Sequence, residues 1–245
     1  MNTADAMKEA ARRLSSGVSK LSFTDEITHI YNPLEYAREG HELYLERFAG
    51  TGKKIIFVGM NPGPWGMAQT GVPFGEIAAV RDWLGIECGV GSPENEHPKR
   101  IIEGFACSRS EVSGRRLWAL MADRYGDAAA FFEDNFVANY CPLSFMTETG
   151  RNFTPDKLPK AERDALFAVC DQHLREVADI LGARWMLGIG KFAEKMINNA
   201  LKDSIKAGEI KSGTIIHPSP ASPAANRGWA EAVSLKMSEY GLWSS

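Results

Sequence analysis

Asn61, Asn139 and His217 are the residues of this sequence best placed to do chemistry. Each stands at or just past the end of a β-branched and aromatic run: Ile55-Ile56-Phe57-Val58, Asn135-Phe136-Val137-Ala138 and Gly213-Thr214-Ile215-Ile216. Taken singly, an asparagine after a strand is an ordinary turn former, and a histidine before proline is an ordinary loop residue. In a parallel sheet, however, the C-terminal ends of the strands share one edge, and side chains far apart in sequence converge there. Two amides and an imidazole, with no carboxylate, cysteine or metal cluster among them, suit a planar heterocycle that has both donors and acceptors. A nucleobase fits, with Phe74 as the face on which it stacks.

The stretch from Lys53 to Gly75, KKIIFVGMNPGPWGMAQTGVPFG, must position the first of these residues. Its opening run has the pattern of a buried strand that stops at Gly59. Gly59, Pro62, Gly63, Pro64 and Gly66 then fall within eight residues, so the backbone leaves the strand as a stiff, preshaped loop that a ligand can approach closely. A second stiff loop, His217-Pro218-Ser219-Pro220-Ala221-Ser222-Pro223, precedes a helix expected from about Ala224 to Tyr240. The hydroxyls of Ser219 and Ser222 and free N–H groups at that helix start suit phosphates.

A fourth strand is expected at Arg184 to Gly190, whose Gly-Ile-Gly end reads as a packing element. Helical spacing marks residues 3 to 17, an N-terminal helical extension within 1–20, and a helix opened by Pro33 that runs through Phe48. Further helices are expected from Glu76 to Leu84, after an N-cap at Ser113, from the Thr154 to Pro159 region to Gly182, and from Lys191 to Leu201. Glu87 to Lys99 reads as an irregular loop. Strands separated by helices specify an α/β class, a three-layer α/β/α fold around a mainly parallel four-stranded sheet, in one domain spanning 1–245.

Composition narrows the functional classes. With 44% hydrophobic and 24% charged residues the chain reads as a soluble globular protein, without a run of the ~20 apolar residues needed to span a bilayer. No signal peptide is expected at the N-terminus, and the expected home is cytoplasmic. The four cysteines, Cys88, Cys107, Cys141 and Cys170, form no C-x-x-C pair and read as reduced, packed thiols rather than metal ligands. A net charge of −3 carries no global nucleic-acid signature, so DNA contacts would come from local groups, with Lys99, Arg100, Arg109, Arg115 and Arg116 as candidates.

Four segments carry a specific resemblance. GMNPGPWGMAQTGVPFG at Gly59 to Gly75 and HPSPASPAANRGW at His217 to Trp229 resemble the two signature motifs of the single-strand-selective monofunctional uracil-DNA glycosylases, a family of the uracil-DNA glycosylase superfamily. CSRSEVSGRRLW at Cys107 to Trp118 and NYCPLSFMTETGRNFTP at Asn139 to Pro155 also resemble that family, in the same order, within a similarity that runs from about Leu21 to the C-terminus. The resemblance implies hydrolysis of the N-glycosidic bond of a flipped-out uracil, leaving an abasic site, with no cofactor, no metal and no lyase step. It implies that Asn61 positions the attacking water, that His217 contacts uracil O2, that Phe74 stacks and that Asn139 reads the base edge. Met60 and Gly63 would line the pocket beside C5, where the family leaves room for water or a hydroxymethyl group.

Pro218, Ser219, Pro220, Ala221, Ser222 and Arg227 form the candidate wedge, and with Ser113 they are the candidate DNA contacts. Two positions depart from the family: Trp65 stands where phenylalanine is familiar, and Ala221 where vertebrate members carry an arginine at the wedge tip, which bears on duplex activity. The implied partner is DNA holding uracil or a related damaged base, single- or double-stranded; a monomer is the default expectation, and no membrane association is expected. Two other readings stay open: a glycosylase of the same fold acting on another deaminated base such as xanthine, and a non-catalytic nucleic-acid-binding module. A nucleotide-binding loop is disfavoured, because the glycine-rich stretch lacks both the G-x-x-x-x-G-K-[ST] lysine and the G-x-G-x-x-G pattern.

Overall fold

The computed structural model describes residues 2–244. In chain order the elements are α1 (Thr3–Val18), β1 (His29–Tyr31), α2 (Pro33–Tyr36), α3 (Arg38–Phe48), β2 (Ile55–Gly59), α4 (Met67–Thr70), α5 (Val112–Tyr125), α6 (Ala128–Asp134), β3 (Asn135–Asn139), β4 (Ser144–Met146), β5 (Asn152–Phe153), α7 (Lys160–Leu181), β6 (Trp185–Ile189), α8 (Lys191–Ala200), α9 (Lys202–Lys206), β7 (Lys211–Ile215) and α10 (Trp229–Glu239). Four strands form the main sheet in the order β3-β2-β6-β7, and every neighbouring pair is parallel. Helices α1, α3, α7 and α8 pack among themselves and onto β6 and β7, while α5, α6 and α10 form a second group. The result is the α/β/α arrangement that the strand and helix alternation specifies.

Why β2 is central follows from its composition. All five of its residues are buried, because a parallel strand covered by helices on both faces needs a continuous apolar run rather than an alternating one. In register, Gly59 sits opposite Asn139, so the last residue of β2 meets the residue at the end of β3. Parallel pairing thus brings the Asn61 loop and Asn139 to the same edge, where the segment after β7 also delivers His217.

The helix at residues 3–18, expected as an extension, is built into the core. Asn2 caps it by accepting from the Asp5 N–H at 2.8 Å, and Met7, Ala10, Ala11, Leu14 and Val18 are buried beside α7 and α3. Other expected elements shift for local reasons. The helix opened by Pro33 is interrupted at Ala37, giving α2 and α3. The segment expected as a helix at Glu76 to Leu84 contains a five-residue π-helical turn, Ala79–Trp83. Ser113 does not cap α5: the helix begins at Val112, Glu111 takes the cap position, and Ser113 lies inside the first turn.

A small antiparallel sheet in the order β1-β4-β5 escapes sequence reading because its strands are two or three residues long, too short to show a period. All four cysteines are free, with Cys107, Cys141 and Cys170 buried. No helix among the described residues is long and apolar enough to cross a membrane.

Two histidines sit beneath the site-bearing edge, where they line a small apolar cavity with Met67 and Asn139. His41 donates through Nδ1 to the Gly71 carbonyl at 2.9 Å, whereas His173 Nδ1 is buried without a partner. Burial is the leading cause that lowers both: His41 falls below the ordinary histidine value and His173 drops to about 4. A folded-state value below the unfolded one means that the unfolded chain takes up protons first as pH falls. Stability is therefore complete above about pH 6.5 and is lost as pH falls from there towards 4. Urea unfolding from pH 8 to pH 4 should show this loss, with His173→Leu removing up to about 3 kcal/mol of it.

Candidate active site

The stiff loop after β2 is held by its own polar groups rather than by apolar packing alone. Gln69, fully buried, donates through Nε2 to the carbonyls of Pro64 and Ile101 and accepts at Oε1 from the N–H groups of Glu103 and Gly104. Thr70 Oγ1 donates to the Gly75 carbonyl at 3.2 Å, and the Tyr36 hydroxyl donates to the Ala68 carbonyl at 2.7 Å. At the far end Phe74 takes a positive φ of 53°, the only non-glycine to do so among the described residues. Such a backbone costs on the order of 1 kcal/mol or more and persists only where neighbours over-determine it. Here the Phe74 carbonyl accepts from Trp118 Nε1 at 2.9 Å and from the Glu76 N–H at 2.7 Å.

These loops enclose a cavity of about 330 Å³ at the C-terminal edge of the sheet. Met60, Asn61, Gly63, Phe74, Ser113, Asn139, His217 and Ser219, all expected at the site, line it together. Asn61 Nδ2 donates to the Leu143 carbonyl at 3.0 Å, which orients the amide and leaves Oδ1 as an acceptor. Asn139 Nδ2 is 3.2 Å from Met67 Sδ, a weak acceptor, so most of this amide's hydrogen-bonding capacity remains for a ligand.

His217 is fixed from within its own loop. The Ser219 N–H donates to His217 Nδ1 at 3.0 Å, so a neutral ring carries its proton on Nε2. Burial lowers its pKa below the ordinary histidine value, which keeps the ring neutral near pH 7. Beneath it lies Gly190 at the end of β6, with φ of 94°; a Cβ there would sit 3.2 Å from His217 Cβ. The Gly-Ile-Gly end of that strand thus makes room for the imidazole. His217 and Phe74 face each other at a ring separation of 6.3 Å.

Sequence comparison gives the family. A family model described as Uracil DNA glycosylase superfamily matches residues 47–237. The chain is 44% identical over 239 residues to the single-strand selective monofunctional uracil-DNA glycosylase of Rattus norvegicus, covering 98% of this chain and 85% of that protein. It is 42% identical to the Bos taurus protein of the same description, covering 98% of this chain and 87% of that one. The chain belongs to the single-strand selective monofunctional uracil-DNA glycosylase family of that superfamily. In fold it is similar to the crystal structure of wild-type Pedobacter heparinus SMUG2, with a TM-score of 0.62 at 18% identity, covering 95% of this chain and 97% of that one.

The segment expected as a wedge is more tightly built than its proline content alone indicates. Pro218, expected as a DNA contact, is buried, and its carbonyl accepts from Arg116 Nη1 at 2.9 Å, which anchors the loop. Arg116 Nη2 also donates to Asn226 Oδ1, and Asn226 Nδ2 donates to the Pro220 carbonyl at 2.8 Å. Arg116, a candidate phosphate ligand from sequence, is therefore committed to clamping this loop.

A turn closed by the Ser222 N–H on the Ser219 carbonyl leaves Pro220 and Ala221 exposed at the tip. Ser219 and Ser222 spend their hydroxyls accepting from the N–H groups of Ala221 and Ala225. The following helix starts at Trp229, after a 3-10 turn at Ala225–Arg227, so its N-terminus lies beyond the serines; Arg227 is exposed. Trp65, the first departure from the family pattern, holds two guanidiniums over its ring, Arg109 at 4.5 Å and Arg100 at 5.1 Å.

Sequence reading missed Glu111, Asn152 and Thr154, which also line the cavity. Asn152 and Thr154 arrive through the unrecognised small sheet, at and just past β5. Glu111 gave one signal, its place between Arg109 and Ser113 in the CSRSEVSGRRLW segment, but an acidic residue beside a helix start reads as a solvated cap.

Nitrogen-15 NMR of His217 should show the Nε2–H tautomer, with a pKa below the ordinary value. Ser219→Pro, which removes the donating N–H, should mix the tautomers. Arg116→Ala should leave the fold intact while raising amide exchange across residues 218–226.

Proposed function

We propose that this chain excises uracil from DNA by hydrolysing the N-glycosidic bond of a flipped-out deoxyuridine, leaving an abasic site. The observation that carries the reading is the convergence of Asn61, Phe74, Asn139 and His217 on one cavity, each polar group with its orientation set and a free donor or acceptor remaining. The base enters beside Phe74. Asn139 presents a carbonyl to N3–H and an amide hydrogen to O4, the complement of uracil; cytosine, with an acceptor at N3 and a donor at N4, would meet acceptor with acceptor and donor with donor.

Bond cleavage passes through an oxocarbenium-like sugar and a departing uracil anion, so stabilising charge on the base is the largest demand. The Nε2–H of neutral His217 donates to O2 without giving up its proton, and the low pKa suits a donor that is not a general acid. The sugar cation is electrophilic enough that water needs placing rather than deprotonating. Asn61 Oδ1, freed by the hydrogen bond from Nδ2 to Leu143, accepts from that water. Flipping costs a few kcal/mol in a duplex and less in a single strand. The exposed tip at Pro220 and Ala221 is too small to fill the gap that a flipped base leaves, which favours single-stranded substrate.

The reading extends to 5-hydroxymethyluracil, whose substituent would face the wall that Met60 and Gly63 contribute to the cavity, and to action as a monomer. The test is single-turnover release from an oligonucleotide with one central uracil, as single strand and as U·G and U·A duplexes. Asn61→Ala and His217→Ala should each slow release by roughly 10²-fold or more; near-normal rates in both would remove them from these roles. Asn139→Asp should lose uracil preference, and Ala221→Arg should raise the duplex rates while leaving the single-strand rate unchanged. Xanthine released in preference to uracil would shift the substrate to another deaminated base.

A further inference from the structure

Glu111 is the one carboxyl group lining the cavity, and the mechanism above does not use it. Its side chain lies across the loop that carries Asn61. A Cβ placed on Gly63 would collide with Oε1, one on Gly66 would collide with Oε2, and one on Gly114 would stand 2.9 Å from Oε2. The carboxyl therefore fills a cradle of three glycine backbones, two from the stiff loop and one from the first turn of α5. Oε2 is buried and has no hydrogen-bond partner. A group in that position is tolerated far better neutral than ionised, because burying an unpaired carboxylate strips it of the water that stabilises its charge.

We propose that Glu111 is a positioning residue, whose uncharged carboxyl keeps the Asn61–Gly66 segment seated on α5 and whose ionisation unseats it and stops base release. The inference rests on the uracil-excision reading above for its activity arm only.

The surroundings agree. Burial raises the pKa of Glu111 to about 7, with Glu76 as the neighbouring charge and the Gly114 N–H opposing the rise. Glu76 is itself held in place by Ser110 Oγ at 2.8 Å on Oε1 and by the Ala79 N–H at 2.9 Å on Oε2. Arg115, in the same helix turn, donates through Nη1 to Ser110 Oγ at 3.4 Å. Across the cavity stand His217, kept neutral by burial, and the uncharged side chains of Asn61 and Asn139. Apart from the Gly114 N–H no group among these favours a negative charge, and burial outweighs that one donor; a carboxylate here would also oppose the negative charge that builds on departing uracil.

The sign is fixed by which form fits. Below about pH 7 the neutral acid fills the cradle and the loop is seated. Above it the fraction of enzyme that carries the neutral Glu111 carboxyl falls about tenfold per pH unit.

The experiment measures single-turnover uracil release from single-stranded DNA at saturating enzyme from pH 5.5 to 8.5. Amide protection factors for residues 61–66 are measured in parallel on the free protein. Wild type should lose about tenfold in rate per unit above about pH 7, with protection falling in step. Glu111→Gln, which keeps the shape but cannot ionise, should give a flat profile near the wild-type rate at pH 6 and constant protection. Glu111→Ala should also be flat, but slower and less protected. The same alkaline fall in Glu111→Gln, or a flat wild-type profile with constant protection, would overturn the inference. Absence of uracil release by wild type together with pH-dependent protection abolished in Glu111→Gln would remove the uracil reading and leave Glu111 as the loop lock.

Discussion

A close approach of three chain segments governs this site. At Gly59, the last residue of β2, a Cβ would collide with Asn139 Oδ1 and stand 2.6 Å from the Phe74 ring. The neighbouring strand end and the far end of the stiff loop meet over a residue with no side chain, and this lets an amide and an aromatic face share one cavity wall. The same device recurs at Gly114, where a Cβ would collide with the Phe74 carbonyl, and at Gly190, which makes room for His217. Backbone packing without Cβ atoms is close and stiff, and its conformational cost is offset by the sheet edge to which it is attached.

The polar groups of this region obey the same economy. A loop of seventeen residues that turns through the interior leaves many backbone groups away from water, and each must find a partner. Gln69 takes the Pro64 carbonyl and ties the loop to three backbone groups of residues 101–104, and Thr70, Tyr36 and His41 take other loop carbonyls. Because those partners come from the loop, from α2 and α3 and from the irregular segment near residue 103, the site is held by parts of the chain remote in sequence. The positive φ of Phe74 is sustained by this framework, through the indole of Trp118.

Uncharged groups dominate the cavity. Asn61, Asn139 and a histidine with lowered pKa carry the proposed chemistry, and an anionic product leaves them without having to overcome a fixed negative charge. Glu111 belongs to the same pattern only in its protonated form, which burial favours. No lysine or arginine lines the cavity among the described residues: Trp65 carries Arg100 and Arg109, and Arg116 braces the second loop.

Much of this was legible in the sequence. Long apolar runs ended by glycine or proline identified the four parallel strands, and the position of Asn61, Asn139 and His217 just past three of them placed the site, because parallel strands share an edge whatever their separation in the chain. Motif resemblance added the family, which comparison of the whole chain bears out. Residue type and spacing say nothing, however, about which hydrogen bonds a side chain spends internally. Only the tertiary structure showed that Pro218 is buried, that Arg116 faces the loop rather than solvent and that Ser219 sets the tautomer of His217.

Elements as short as β1, β4 and β5 carry no period, so Asn152 and Thr154 were invisible until those strands paired. Glu111 stayed hidden for a related reason: a carboxylate is soluble by default, and its burial depends on glycines forty-eight, forty-five and three residues away that only the folded chain brings around it.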